Sequence, residues 1–498
     1  MKHTLGVDIG TYETKGVLAD ETGRIVAMAA RPHRMIVPQP GWAEHRAEED
    51  WWGDFVHVTR ELLASSGVDP ASIACVATSA IGPCMLPVDA EGKPLMNGVL
   101  YGVDTRAEAE IASLNAQIGE DVVLERCGNA LTSQSVGPKI LWLRNQRPEL
   151  FAKTAKVVTS TTFLTFRLTG TYAIDHYTAA NFSPLYDVTT QNWTADLAPD
   201  IIGLDKLPAL MWSTEIAGHV TPEAAVETGL APGTPVTCGT IDAAAEAISV
   251  GLRDPGDMMM MYGSTIFVIQ ATSARVTDAA LWYAPWLFPG EHASMAGLAT
   301  SGTLTRWFSE NFAKDLAPDE VMGALAAEAA ASPPGARGLL VLPYFSGERT
   351  PIHDPRAKGA ILGLDLTHGR GDIYRAMLEG IAYGTAHVID TFRDAGQAPV
   401  RVLAVGGGTK NEVWLQATSD IGGVPQVVSQ SSVGASLGDA FLAAVAVGLA
   451  KRADITAWNP PAREVKPVAH AAYARQYPLF KALYPATRDI AHALGAEA

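Results

Sequence analysis

Asp8 ends a short apolar run and is followed by Gly10, Thr11, Thr14 and Lys15 in the segment DIGTYETK. An acid at a strand end can hold a hydrated Mg2+ ion, and turn amides, threonine hydroxyls and a lysine can hold phosphate oxygens. The plain alternative is an Asp-Gly hairpin turn at the surface. Gly263, Ser264 and Thr265 repeat the donor-rich turn half a chain later. Paired, the two turns suggest a cleft with one phosphate clamp from each of two domains. Asp242, in Gly239-Thr240-Ile241-Asp242, follows a short strand and opens a helix of small residues. It reads either as a helix cap or as the carboxylate that takes a proton from a substrate hydroxyl during phosphoryl transfer. Gly406-Gly407-Gly408-Thr409-Lys410-Asn411 joins a strand to a helix, where glycines let a flat ligand or a phosphate approach the backbone. It is not the dinucleotide fingerprint, because the third glycine of GxGxxG would fall at Asn411.

A decoy lies further on. Gly434-Ala435-Ser436-Leu437-Gly438 matches the GxSxG turn of hydrolases. Several residues separate it from the preceding strand, and only His470 and His492 follow it, so close helix packing explains its small residues better. The chain contains no GxxxxGK[ST] loop and no HExxH helix.

The elements that must carry these residues alternate between strand and helix, which makes the chain α/β. HTLGVDIG and KGVLAD read as a strand hairpin, Glu48–Ser65, Arg106–Ile118 and Lys139–Arg147 as helices, and SIACVATSA as a buried strand. Near residue 255 the pattern begins again with MMMMYGSTIFVIQ, whose four methionines fit a strand buried on both faces. This duplication points to two related domains, 1–246 and 256–450, with an outer helical tail, 451–498.

The chain has 498 residues, 37 Lys+Arg against 53 Asp+Glu, and a formal net charge of −16. That length supports large cores without disulfides, and the acidic balance argues against nucleic-acid binding. Cys75, Cys84, Cys127 and Cys238 have neither disulfide-scaffold nor zinc spacing, so free thiols in a cytoplasmic protein are expected. The amino terminus has no signal-peptide core. The longest apolar stretch, Phe441–Ala450, is far short of the roughly 20 residues that span a bilayer.

Taken together, these segments resemble the FGGY carbohydrate kinases, and among them the xylulokinase-type enzymes, over nearly the whole chain. DIGTYETK resembles the first phosphate motif, and Gln39–His45 followed by Trp51-Trp52 the early substrate-side loop. Tyr101 to Arg106 resembles the W-x-D-x-R segment, with Tyr for Trp. Pro138–Glu149 is similar to the first family signature and Gly359–Glu379 to the second, and PYFSGERTP (Pro343–Pro351) is also typical.

The resemblance implies two duplicated actin-like ATPase (ribonuclease H-like) domains closing over an interdomain cleft. It implies ATP- and Mg2+-dependent phosphorylation of a sugar or polyol. On it, Asp242 matches the general base and Asp8 the carboxylate that helps hold the metal. Thr11, Thr14 and Lys15 match the first phosphate hairpin, Gly263, Ser264 and Thr265 the second, and Gly407, Gly408 and Asn411 the adenosine segment. Where many xylulokinases have Gln-Met-His, this chain has Ile81-Gly82-Pro83, so Trp42, Glu44, His45, Asp104 and Asn181 are candidate replacement contacts to the sugar. The expected reaction converts D-xylulose to D-xylulose 5-phosphate. The alternatives are another ketose or polyol (ribulose, erythritol, glycerol), or a non-catalytic actin-like ATPase or sugar sensor. A homodimer is the commonest assembly for such a protein.

Overall fold

Short β-rich runs separated by glycine turns build two mixed sheets, each the centre of one compact unit of the computed structural model, which describes residues 1–495. The first unit comprises Met1–Arg253, Trp282–Ala293 and Val433–Pro460. The second comprises Asp254–Leu281, Ser294–Ser432 and the chain from Pro461 onward.

In the first unit, His3–Ile9 and Glu13–Asp20 form the expected hairpin, and Ile25–Pro32 adds antiparallel to its outer edge. On the other side Ile73–Ala80 runs parallel to His3–Ile9, followed by Pro235–Thr237 and then the antiparallel Ile216–His219. The second unit repeats this plan. Asp257–Tyr262 and Ile266–Thr272 form the hairpin, and His292–Leu298 lies beyond it. Arg401–Val405 and Gln426–Ser429 follow in parallel, then the antiparallel Pro461–Val465. The shared strand order, and the matching directions of the hairpin and of the three strands on its inner side, show the duplication that the hairpins suggested.

Met258, Met259 and Met260 are fully buried in the second sheet, as a strand with neighbours on both edges and both faces requires. The first core gathers around Val7, Ile9, Trp51, Phe55 and Val76. Among the described residues no helix is long and apolar enough to cross a membrane.

The boundaries differ from those read off the sequence. The helix Ala435–Ala446 does not belong with residues 256–432 but packs on the first sheet, beside the helix Asp242–Ser249. Three glycines permit this. A Cβ on Gly6 would fall 2.1 Å from the Ser436 carbonyl, and one on Gly438 would fall 1.9 Å from the Ala245 carbonyl. A Cβ on Gly434 would meet the Glu246 carboxyl at 2.7 Å. The expected outer tail is also integral. Pro461–Val465 completes the second sheet, and the helix Ala471–Gly495 buries Tyr473, Gln476 and Phe480 in the second unit.

Candidate active site

Strand register brings the first group of side chains together. Asp8 stands opposite Ser79 on the parallel strand, and Ser79 stands opposite Thr240 on the short strand Thr240–Ile241. Asp242 follows as the first residue of its helix. The turn before it needs glycine: Gly239 has φ +78°, and a Cβ there would lie 2.3 Å from the Thr78 carbonyl. Thr240 is pinned from two sides, its hydroxyl donating to Asp175 Oδ2 at 2.8 Å and its carbonyl accepting from Thr161 at 2.9 Å. Asp242 is therefore placed by the sheet, and it is not the helix cap, which is Ile241. One Asp242 oxygen accepts the Ala243 amide at 2.7 Å, and the other has no hydrogen-bond partner among the described residues.

Glu246 lies one turn on from Asp242, on the same helix face. Its carboxyl accepts the Ala435 amide. Asp8, Asp242 and Glu246 all keep some exposure, so a ligand can reach them, yet burial dominates their titration. Burial, opposed by Ser79 and Lys15, pushes Asp8 up to about 7. Burial and the charge of Asp8 hold Asp242 well above the usual carboxylate range and push Glu246 up to about 7. This is a nest of carboxyls short of counter-charge, which would welcome a cation.

The first hairpin turn is built around Gly10, whose amide donates to the Glu13 carbonyl at 2.9 Å. His33 fixes it from below. Its Nε2 lies 2.9 Å from the Gly10 carbonyl and its Nδ1 2.8 Å from Asp54 Oδ2. Both nitrogens face acceptors, an arrangement that favours the doubly protonated ring. Burial works against that charge, but Asp54 and Gly10 prevail and the His33 pKa is raised. Thr11 Oγ1 lies 3.2 Å from the Tyr101 hydroxyl, and Lys15 is exposed beside Glu13. Thr14 does not face a ligand: it is fully buried and donates to Asp54 at 3.1 Å. Its place in the phosphate clamp is corrected to a brace beneath it.

The expected sugar contacts also have partners within the protein. Glu44 accepts from Arg106 and from Asn97, both at 2.9 Å. Asp104 is completely buried, taking the Ala43 amide at 2.7 Å and the Arg106 guanidinium. Trp42 lies under that guanidinium, 3.9 Å away, and packs edge-on against Trp142. His45 Nδ1 accepts from Trp51 at 3.2 Å, so Nε2 is the protonated atom that donates to the Thr11 carbonyl at 3.1 Å. Burial, with His33 nearby, pushes His45 down to about 4 and keeps it neutral. Asn181 spends its amide on the Tyr177 and Thr178 carbonyls, each at 3.3 Å. These residues form the scaffold under the loop. Within electrostatic reach of Asp242 stand instead Tyr101, Tyr177 and Cys84.

The second unit contributes a cavity of about 600 Å3, a volume suited to a nucleotide-sized ligand. Gly263, Ser264, Gly407, Gly408 and Asn411 line it together, although they come from two distant parts of the sequence. Gly407 is open to the cavity, since a Cβ there would meet nothing within 4 Å, whereas Gly408 packs against the Trp414 ring. Asn411 caps the helix Glu412–Gly422 by accepting the Trp414 amide at 3.1 Å. Thr265 does not line the cavity. Its carbonyl accepts the Gly263 amide at 3.1 Å and shapes the turn.

A divalent cation suits the carboxyl nest of the first unit. Among the described residues no three His, Cys, Asp or Glu side chains converge as a ready metal cage. One or two carboxylates, with water and phosphate supplying the rest, is how Mg2+ is ordinarily held. The hydrolase turn is excluded as a site, because Ser436 is fully buried and its hydroxyl has no partner among the described residues. Ser79, Glu246 and Asp439 were not anticipated. Only the four-residue spacing of Asp242 and Glu246 carried a signal of them in the sequence.

Comparison with known proteins divides the chain near residue 250, so that the helix Ala435–Ala446 falls in the second match although it packs with the first unit. The model of the FGGY family of carbohydrate kinases, N-terminal domain, matches residues 3–249, and that of the C-terminal domain matches residues 258–447. A xylulose kinase of Escherichia coli K12 is 30% identical over 487 residues, covering 96% of this chain and 98% of that protein. The crystal structure of xylulose kinase from Rhodospirillum rubrum superposes with a TM-score of 0.93 at 31% identity, covering 99% of this chain and 100% of that one. A gluconokinase of Bacillus subtilis is 27% identical over 459 residues, covering 90% of this chain and 88% of that protein.

Proposed function

The chain belongs to the FGGY family of carbohydrate kinases, and we propose that it transfers the ATP γ-phosphoryl group to a terminal hydroxyl of D-xylulose, giving D-xylulose 5-phosphate. Family membership makes it a phosphotransferase with an alcohol group as acceptor, and kinases of this family use ATP. The observation that carries the reading is Asp242, reachable, with one oxygen unengaged and a raised affinity for protons. Such a group takes the acceptor's proton as its oxygen bonds to phosphorus. In the first unit Gly10, Thr11 and Lys15 are the phosphate donors we assign, and in the second Gly263 and Ser264 are assigned to phosphate and the cavity beside Gly407 to the nucleoside. Asp8 is the residue we assign to a Mg2+ ion, which when bound would neutralise phosphate charge.

The same nest supports a neutral acceptor. A sugar acid would bring a further carboxylate toward Asp8, Asp242 and Glu246, which already repel one another. This favours a ketose or polyol over gluconate. The xylulose kinases among its relatives favour D-xylulose among neutral acceptors. We infer a cytoplasmic enzyme acting on small molecules, with a homodimer as the expected assembly.

The test is a coupled ADP-release screen over D-xylulose, ribulose, erythritol, glycerol and gluconate, run with wild type and Asp242→Asn. The expected result is the highest kcat/KM with D-xylulose and a loss of about 10²–10⁴-fold in Asp242→Asn. If no polyhydroxy compound stimulates ADP release, or if the folded variant works at nearly the wild-type rate, the proposal fails.

A further inference from the structure

Asp439 is a carboxyl in a place built for small apolar residues. It lies within the helix Ala435–Ala446, fully buried, among Ala, Gly, Leu and Phe. Gly6 draws this helix onto the strand His3–Ile9: a Cβ on Gly6 would fall 2.8 Å from Asp439 Cβ. Gly6 and Asp8 point to the same side of that strand, so Asp439 is pressed against the face that carries Asp8. Between them stands Ser79, whose Oγ lies 2.7 Å from Asp439 Oδ2 and 3.1 Å from Asp8 Oδ1. Asp439 Oδ1 has no partner among the described residues.

A half-satisfied buried carboxyl costs stability, and an alanine would fit the packing better. The cost needs a return, and the hydrogen-bond geometry offers one. Ser79 has a single hydroxyl proton. Both short contacts are hydrogen bonds only if one carboxyl brings a proton of its own. Asp439 is fully buried whereas Asp8 keeps some exposure, so the geometry gives that proton to Asp439 and leaves Asp8 facing a ligand. The chain then has a direction: Asp439 donates to Ser79, and Ser79 donates to Asp8.

We propose that Asp439 is a positioning residue that acts through Ser79 to hold the Asp8 carboxylate in its ligand-binding orientation. This rests on the assignment of Asp8 to the phosphoryl-transfer site. Ser79 is the group that contacts both carboxyls.

The test uses the full chain and four variants: Ser79→Ala, Asp439→Ala, the double variant, and Asp439→Asn. The Asn side chain keeps the shape and offers an N–H to Ser79. Ser79→Ala and Asp439→Ala are each expected to lower kcat about tenfold or more and to raise the Mg2+ concentration for half-activation, with the acceptor KM nearly unchanged. The double variant should be no worse than the poorer single one, and Asp439→Asn should recover most of the rate. Infrared difference spectra give a readout that needs no turnover. Wild type minus Asp439→Asn should show the carbonyl stretch of a protonated carboxyl at neutral pH, and Ser79→Ala should shift that band. Additive losses, an Asn variant no better than Ala, or no such band would overturn the proposal. If wild type phosphorylates no acceptor, the proposed function fails, and the infrared result alone decides whether the relay exists.

Discussion

Glu246 shows how burial turns a side chain into a pH-dependent liability. Its carboxyl is pushed up to about 7 from an ordinary 4.5. Between those values the folded chain keeps a proton that the unfolded chain has released, so stability falls as pH rises through this window. Glu246→Gln keeps an acceptor for the Ala435 amide and removes the charge. It should match wild type below about pH 4.5 and exceed it by up to about 3 kcal/mol above pH 7. Denaturant titrations across pH measure this, and a pH-independent difference would contradict it. Ser436→Ala removes a buried hydroxyl without a partner and should leave stability and activity nearly unchanged. A large loss would reopen a catalytic role for the serine. At this scale the local settings of Asp8 and Asp242 were legible in the sequence, one where a strand runs into a glycine turn and the other where a short strand opens a helix. The internal partners of Thr14, Glu44, His45 and Asp104 were not legible, because residue type does not reveal an existing partner. Ser79 and Asp439 were invisible: 360 positions separate them, and no local pattern couples them.

Elements are held in the first unit by glycines that allow backbone to lie against backbone. Gly438 faces the Ala245 carbonyl, with 1.9 Å between that atom and a notional Cβ. Gly438→Ala must push the helix Ala435–Ala446 away from the helix that carries Asp242, at a cost of about 3 kcal/mol or more. Thermal melts should show a clear loss of stability; an unchanged melting temperature would mean that the helices do not pack this closely. The two hairpins and most helices could be read from periodicity. The helix Ala435–Ala446 could be recognised as a helix, but not as part of the first unit. An apolar face says that a helix is covered, not which sheet covers it. Pro461–Val465 escaped for a related reason: an edge strand with polar and proline residues carries little strand signal.

The whole molecule divides its chemistry between two units of one design. The carboxyls stand on the first sheet and the nucleotide-sized cavity on the second. The net charge of −16 does not oppose a nucleotide on the proposed assignment, in which turn amides, hydroxyls and a cation would meet the phosphates locally; the global charge bears on solubility. A nucleotide at 100 times its Kd should stabilise the chain by about 2.7 kcal/mol. Gly407 lines the cavity and has open space where a Cβ would sit, and Gly407→Leu adds apolar bulk there. It should abolish the thermal shift given by ADP while leaving the unliganded melting temperature in place. A full ADP shift in that variant would move the nucleotide elsewhere. The most direct test of phosphoryl transfer itself is the fate of the phosphorus. Phosphorus NMR of wild type with ATP, Mg2+ and D-xylulose should show ATP converted to ADP and a sugar phosphomonoester in equal amounts, with neither formed by Asp242→Asn. Release of inorganic phosphate without any phosphomonoester from D-xylulose would contradict the proposed reaction.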